Sequence, residues 1–577
     1  MLLQNLTLTQ DADKRELYVR SDNLCTEFPL KLSSGETISF ATYFNFFSLS
    51  RWRKYTSIDD VRIVLKCKGE FKVAVDRHVL VDGCESVETL LSLESDGDVD
   101  VVMPSLPDTG LLSISVTSLA DGSVLFGGGF CSCSDAPNDV RIGIDVCTYR
   151  RESAVEEKVR SLDSFLVSCE NDFANFVEMF VVDNGRTLSD DFGSAARSLK
   201  VHVIQNENLG GSGGFTRGMM EIVNSERFTH IILNDDDAQF DPESIYRTWS
   251  FLSFIKDEYK SAHVGGAMLT SERPTIVYGS GAVYSEREEI LLHSLKQDLD
   301  VSASVDCLRF DTEEEINYFI WCYLTIPVSY IKELGYPLPL FIKWDDIEYS
   351  IRGGSTMITL NGVSIWHDSF RSKFLTYIHY NYYFARNYLV MGCTTGDLKR
   401  RDIIWALRNA MFEVISYRYE SADIMFKGIE DFFKGPGFVF DLNPGGVVGQ
   451  IYVKTEKLDD LEKSADFMDA NTIRRRDFRI RMLSLNGLLL SCKNNIKTDA
   501  DNVDSASFYR ARKILYDAGG GEGFITERDT GKTLCAIHRN ICLLIKTAFS
   551  FGRLKKEYKR SLKKCSSEEN WRKIFKL

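Results

Sequence analysis

Apolar positions recur with a period of two through much of the first 138 residues. Val61, Ile63, Leu65 and Cys67 alternate with Arg62, Lys66 and Lys68, and Phe71, Val73 and Val75 follow a turn at Gly69-Glu70. Short runs at 112–116 and 124–126, punctuated by glycine, extend the pattern and predict an all-β sandwich or jelly-roll-like barrel over 1–138. The aromatic stretch Tyr43-Phe44-Asn45-Phe46-Phe47 with Arg51-Trp52-Arg53 suits packing against a neighbouring domain, or a platform on which sugars stack.

After Val140 the period changes. Strand-like runs at 141–147, 180–182, 201–204 and 229–233 alternate with helical stretches, the first of them at 152–169 with Val155, Val159, Leu162 and Leu166 on one face. Such a βαβ series predicts a largely parallel sheet whose ligands gather at the carboxyl ends of its strands. Thr148, Asp183, Asn208 and Asp235 all fall at or just beyond such ends. An acidic, weakly periodic segment at 285–315 reads as a surface excursion or mobile loop. Beyond Thr376 the pattern is mainly helical, with Ile404, Leu407, Met411 and Val414 on one face. The expected domains are therefore 1–138, 139–393 and 394–577.

Composition narrows the classes of function. A chain of 577 residues is too long for one core, and its net charge of −14 argues against a general nucleic-acid binder. The 14 cysteines lack paired metal-ligand spacing; Cys131-Ser132-Cys133 alone is weak evidence for zinc, so reduced thiols are expected. Met1-Leu2-Leu3 opens without a basic region, and no uninterrupted apolar run approaches the roughly 18–20 residues of a membrane span. A cytoplasmic protein, soluble or peripheral at the inner face of the membrane, is the expectation. The tail 553–577 interleaves basic residues with Tyr558, Trp571 and Phe575, a composition suited to an anionic membrane surface or to a solvated helix.

The chemistry concentrates at Asp235-Asp236-Asp237, three carboxylates closing an apolar run. On an extended chain Asp235 and Asp237 share a face and can grip one hard cation, Mg²⁺ or Mn²⁺, of the kind that bridges to phosphate. Gly210-Gly211-Ser212-Gly213-Gly214 reads as a loop before a helix at 215–222, its amides open to a phosphate and Arg217 adding charge. Further on, Trp344-Asp345-Asp346 with Glu348 carries more acid than a helix cap needs, and His367 ends the run Ile365-Trp366-His367.

Together these motifs resemble family-2 glycosyltransferases of the Rossmann-like α/β GT-A fold. The stretch Asn208 to Gly214, then 337–346, then Ile365-Trp366-His367 resembles more narrowly the polymerising galactofuranosyltransferases of mycobacterial galactan. That resemblance also implies the layout of β domain, GT-A domain and helical C-terminal domain. It implies a UDP-galactofuranose donor, a divalent cation held by Asp235, Asp237 and His367, inversion at the anomeric carbon, and Asp346 as catalytic base with Asp345 beside it. Thr148, Tyr149, Arg151, Asp183, Asn208, Arg217 and Asp236 are the expected nucleotide-sugar contacts, and Trp321, Trp344, Glu348 and Phe370 the expected acceptor contacts. Phe370 stands where the family has a tryptophan, and Trp321 alone where it has a pair, differences that bear on the acceptor rather than the donor. A lipid-linked bacterial surface glycan is the implied acceptor, and self-association is implied as well. The alternatives are another nucleotide sugar, UDP-galactose or dTDP-rhamnose, and a noncatalytic carbohydrate-binding protein.

Overall fold

Two five-stranded antiparallel sheets occupy the N-terminal region of the structure, a computed structural model. It describes all residues except 24, 170, 190, 286–291, 369–375, 442–450, 473–477 and 500–507. One sheet joins Leu2–Asn5, Ser123–Cys131, Arg62–Lys68 and Val99–Val102, with Leu30–Leu32 beside Ser123–Cys131. The other joins Thr37–Ser39, Leu111–Ser118, Glu70–Val81 and Cys84–Asp96, with Phe47–Ser48 at its margin. The alternation works as the period demands: Ile63, Leu65, Phe71, Val73 and Val75 are buried while Lys66, Lys68 and Lys72 face water.

A nine-stranded mixed sheet follows. Its strands are β1 (Ile142–Thr148), β2 (Val177–Asp183), β3 (Lys200–Gln205), β4 (His230–Asp235), β5 (Gln239–Phe240), β6 (His263–Thr270), β7 (Val277–Gly279), β8 (Leu324–Pro327) and β9 (Met357–His367). They run in the order β3-β2-β1-β4-β8-β6-β9-β5, with β7 on β6. The first four are parallel, as the βαβ pattern requires, whereas β8 is antiparallel to both β4 and β6. Helix α1 (Glu152–Ser168) buries Val155, Val159, Leu162 and Leu166. Helix α2 spans Gly210–Asn224, so the glycine run is the helix itself and not a loop leading into it. Close approach explains this: a Cβ at Gly214 would strike Cys147 Sγ, and one at Gly218 the Asp145 carboxylate, both on β1. Helix α3 (Pro242–Ser253) then packs on the sheet.

The chain divides into two compact units. The first holds Met1–Asn208, Gly214–Gly335 and Ser350–Asp368. Within it the N-terminal aromatics are packing residues rather than a platform: Tyr43, Phe44, Phe46 and Phe47 are fully buried, Tyr43 lying against Phe310 and Phe44 stacked on Trp366. Phe310 belongs to helix Ser304–Asp311, which buries Cys307, Leu308 and Phe310, so this part of 285–315 is ordered by its apolar face. The second unit holds Leu209–Gly213, Tyr336–Tyr349 and Ser369–Leu577. Helix α4 (Asp345–Gly353) contributes to both, and α5 (His379–Thr394), α6 (Arg400–Ile415), α7 (Tyr419–Phe432), α8 (Thr530–Cys565) and α9 (Glu568–Phe575) make the second mostly helical. It also contains a five-stranded sheet built on Asn494–Asp499, Ala511–Gly519 and Glu522–Glu527, which the helical reading of this region did not anticipate.

Candidate active site

Strand register brings the donor-side candidates to one edge of the sheet. Thr148 lies opposite Asp183, Asp183 opposite Gln205, and Cys147 opposite Asp235, so the parallel strands end together. His367 ends β9 opposite Thr270. β4 stops at Asp235 and the chain turns, the Ala238 amide donating to the Asp235 carbonyl at 3.2 Å. The three carboxylates therefore fan out from a turn rather than sharing one strand face.

Each carboxylate has different company. Asp236 accepts from Thr148 Oγ1 (2.9 Å), the Tyr149 amide (3.3 Å) and Arg151 Nη1 (3.2 Å). Asp237 meets Arg151 Nη1 with one oxygen and His367 Nε2, at 3.3 Å, with the other. Asp235 accepts from Cys322 Sγ at 3.3 Å. Burial, reinforced by repulsion from Asp237 and Asp236, pushes Asp235 up to about 7. Burial acts on Asp237 in the same sense, but His367 and Arg151 overcome it and hold that carboxyl below the usual range. His367 is held above the ordinary imidazole value, against its burial, by Asp237 and Asp235.

By donor type, though not yet by arrangement, Asp235, Asp237 and His367 suit a divalent cation. Adjacent carboxylates that resist ionising together are relieved by a second positive charge, and carboxylate oxygen with imidazole nitrogen suits Mn²⁺ or Mg²⁺. His367 Nδ1 lies 2.6 Å from the Asp368 carbonyl; donation there turns Nε2, 3.3 Å from Asp237, toward the carboxylates. Among the described residues no three His, Cys, Asp or Glu side chains stand together as they would to hold a metal ion; Asp237 turns one oxygen to His367 and the other to Arg151 instead.

Other expected donor contacts are tied into the frame. Asp183 is buried and accepts the amides of Gly185 (2.8 Å), Thr187 (2.6 Å) and Leu188 (2.7 Å), which shapes the turn after β2. Asn208 is half-buried beyond β3, and Arg217 pairs along α2 with Glu221 at 2.7 Å.

In the second unit Asp345 and Asp346 open α4. Asp345 is buried, and burial with repulsion from Asp346 raises it well above the carboxylate range. Desolvation also raises Asp346, to about 6. The backbone leading into them is strained: Phe341, Lys343 and Trp344 have φ of 77°, 65° and 68°. Asn387 of α5 holds that segment, its amide donating to the carbonyls of Leu340 (3.1 Å), Ile342 (2.8 Å) and Lys343 (2.9 Å). The expected acceptor residues are mostly turned inward. Trp344 packs against Phe384 and Tyr388, Glu348 is fully buried and accepts from Thr395 Oγ1 at 2.5 Å, and Trp321, in the first unit, lies edge-on to Phe215. Phe370 lies outside the described residues.

Three participants escaped the sequence reading: Lys158, Cys322 and Asn387. Lys158 is buried, donating to Asn234 Oδ1 at 2.7 Å and to the Ala238 carbonyl on either side of the three carboxylates, and burial lowers it to about 8. Its position between Val155 and Val159, on the apolar face of α1, was the available signal.

Comparison with known proteins places these features. Residues 144–271 match the family description "Glycosyl transferase family 2", and residues 7–131 match "Galactofuranosyltransferase 2 N-terminal". Galactofuranosyltransferase GlfT2 of Mycobacterium tuberculosis is 28% identical over 468 residues, covering 74% of this chain and 71% of the relative. GlfT2 of Mycolicibacterium smegmatis is 24% identical over 618 residues, covering 98% and 94%. Among solved structures, S. aureus TarS 1–349 in complex with UDP-GlcNAc is 14% identical over 51% of this chain and 81% of its own, with a TM-score of 0.33. The resemblance read from the motifs is borne out: this chain is a glycosyltransferase with a family-2, GT-A catalytic domain on a mixed sheet, similar to the mycobacterial galactofuranosyltransferases.

Proposed function

We propose that this protein moves galactofuranose from UDP-galactofuranose to a hydroxyl of a lipid-linked bacterial surface glycan, with inversion at the anomeric carbon. The observation that carries the proposal is the junction of Asp235, Asp236, Asp237, Arg151 and His367 at the carboxyl edge of the sheet, in a chain whose relatives are named galactofuranosyltransferases.

Inversion in one displacement needs a base for the acceptor hydroxyl and no enzyme nucleophile. Asp346 takes that role, because desolvation raises its pKa to about 6, which suits a group that collects a proton near neutrality. Asp345, raised further, keeps its own proton and spares Asp346 a neighbouring charge. Asp235, Asp237 and His367 would hold a divalent cation, whose chemistry there is to neutralise the leaving diphosphate. Arg151 supplies positive charge at the same edge, while Thr148 and Tyr149 fix Asp236 beside it. Asn208, Arg217 and Asp183 belong to the frame that receives the nucleotide, and Trp344 and Glu348 lie in the second unit's packing beside the proposed base.

The two N-terminal sheets are proposed to form a β-sandwich domain over 1–138, followed by the catalytic domain over 139–393 and the C-terminal domain over 394–577. We place the protein at the cytoplasmic face of the membrane, as a self-associating peripheral enzyme.

Incubation with UDP-galactofuranose, Mn²⁺ and synthetic lipid-linked acceptors, followed by mass spectrometry, tests the reading. The expected product is an acceptor enlarged by one or more hexofuranosyl units. Transfer from UDP-galactose or dTDP-rhamnose instead, or no transfer from any donor, would overturn it.

A further inference from the structure

Helix α8 is apolar on two opposite faces. Inward it buries Ala536, Leu543, Phe551, Leu554 and Tyr558, the last donating its hydroxyl to the Phe432 carbonyl at 2.8 Å. Outward, at spacings of seven, four and four, stand Leu534, Ile541, Ile545 and Phe549, which are 57%, 51%, 54% and 87% exposed. At 100° per residue these four lie within about 80° of one another on the side away from the core. A helix that merely covers a soluble core carries charge there. Here the same outward line turns cationic only about two to four turns later, at the exposed Lys556, Lys559 and Lys563.

Charge sharpens the pattern. Over Thr530–Cys565 the sequence has ten Lys and Arg and one acid, Glu557, in a chain whose net charge is −14. Next to the start of α8, Arg528 donates to the carbonyls of Gly487 (2.6 Å) and Leu490 (3.0 Å), which brings alongside a loop where Leu489 is 95% exposed. The tail, by contrast, turns its aromatics inward: Tyr558 and Trp571 are fully buried, and Trp571 Nε1 donates to the Pro337 carbonyl at 2.9 Å. Among the described residues α8 alone is, by length and composition, apolar enough to cross a bilayer, but its inward face is already occupied by protein.

We propose that the outward face of α8, with Leu489 beside its start, lies on an anionic lipid bilayer: the Leu, Ile and Phe side chains enter the acyl boundary and the lysines meet lipid phosphates. Charge complementarity selects this occupant. A like-charged copy of the same lysine-rich face would repel itself, whereas phosphatidylglycerol supplies what the face lacks.

The full-length protein should sediment with vesicles of phosphatidylglycerol and phosphatidylcholine, at least tenfold more than with phosphatidylcholine alone, and less so as salt rises. Phe549→Ser with Ile545→Ser, and separately Leu489→Ser, should each cut vesicle binding several-fold. Transfer to a water-soluble acceptor should be unchanged in both variants, which reports that they are folded. Vesicle binding equal to wild type in both variants, or wild-type protein that ignores anionic vesicles, would overturn the proposal. So would a loss of self-association, seen by light scattering, that leaves vesicle binding intact. Vesicle binding is read without any sugar donor, so its failure is distinct from failure of the proposed transfer reaction.

Discussion

The side-chain amide of Asn387 donates to the carbonyl of Lys343 at 2.9 Å, two residues before Asp345 and three before Asp346. The same amide reaches Ile342 and Leu340, so one side chain from α5 restrains a segment in which Phe341, Lys343 and Trp344 all take left-handed backbone. Each such residue costs about 1–3 kcal/mol and persists only where its surroundings enforce it. Asn387→Ala should therefore release the turn that aims the proposed base. The expectation is a fall in kcat of about tenfold or more with KM for the donor little changed, because Asn387 acts on position and not on binding. Steady-state kinetics with a soluble acceptor check this, and a variant whose KM alone moved would refute the assignment.

Asp346 gives a pH signature. A base works when ionised, and desolvation raises this one to about 6, so protons are retained until the pH passes that value. The rate should climb roughly tenfold per pH unit below about 6 and level off above it. Asp346→Ala should abolish transfer while donor binding, followed by calorimetry, persists. A flat pH profile of kcat between 5 and 7, taken as about one unit either side of that value, would remove Asp346 from the role.

Much of this was legible in the residues, and the exceptions share a cause. The strand ends bearing Thr148, Asp183 and Asp235 follow from the βαβ period, and register then aligns them. The glycine run misled because glycine has low helix propensity; contact with Cys147 and Asp145 on β1 overrides that preference, and no local pattern reveals such a contact. Lys158 was hidden because a lysine on a helix ordinarily faces water. The left-handed backbone before Asp345 is invisible in a side-chain pattern altogether. The hairpin at 511–527 was readable: Ile514-Leu515-Tyr516, then Gly519-Gly520-Gly521, then Phe524-Ile525 is an apolar run, a turn and a second run.

Chelation should stop the reaction. If Asp235, Asp237 and His367 hold a cation, EDTA will silence transfer and Mn²⁺ will restore it. His367→Ala should weaken Mn²⁺ affinity about 10–100-fold, measured by titration calorimetry or by the Mn²⁺ dependence of the rate. Full activity in EDTA would eliminate the metal role, whereas unchanged Mn²⁺ affinity in the His367 variant would eliminate only that ligand.

The last prediction concerns stability. Glu243 on α3 is fully buried; its two oxygens accept the backbone and side-chain amides of Asn5 at 2.8 and 2.7 Å, and Arg247 lies 3.7 Å away. It ties the first N-terminal strand to the catalytic sheet's helix. Glu243→Ala leaves the Arg247 guanidinium buried without its carboxylate and should cost about 3–5 kcal/mol. The pH dependence has a definite sign. Burial, partly offset by Arg247 and Asn5, raises Glu243 from its ordinary 4.5 to about 7. Between those values the folded chain holds a proton that the unfolded chain has released, so this group's contribution to stability declines as pH rises from about 4.5 to about 7. Glu243→Gln cannot titrate and should lack that decline, although it forfeits one of the two Asn5 bonds. Urea midpoints of wild type and Glu243→Gln across that range should therefore converge as pH rises, and a constant difference would show that Glu243 does not change its protonation on folding.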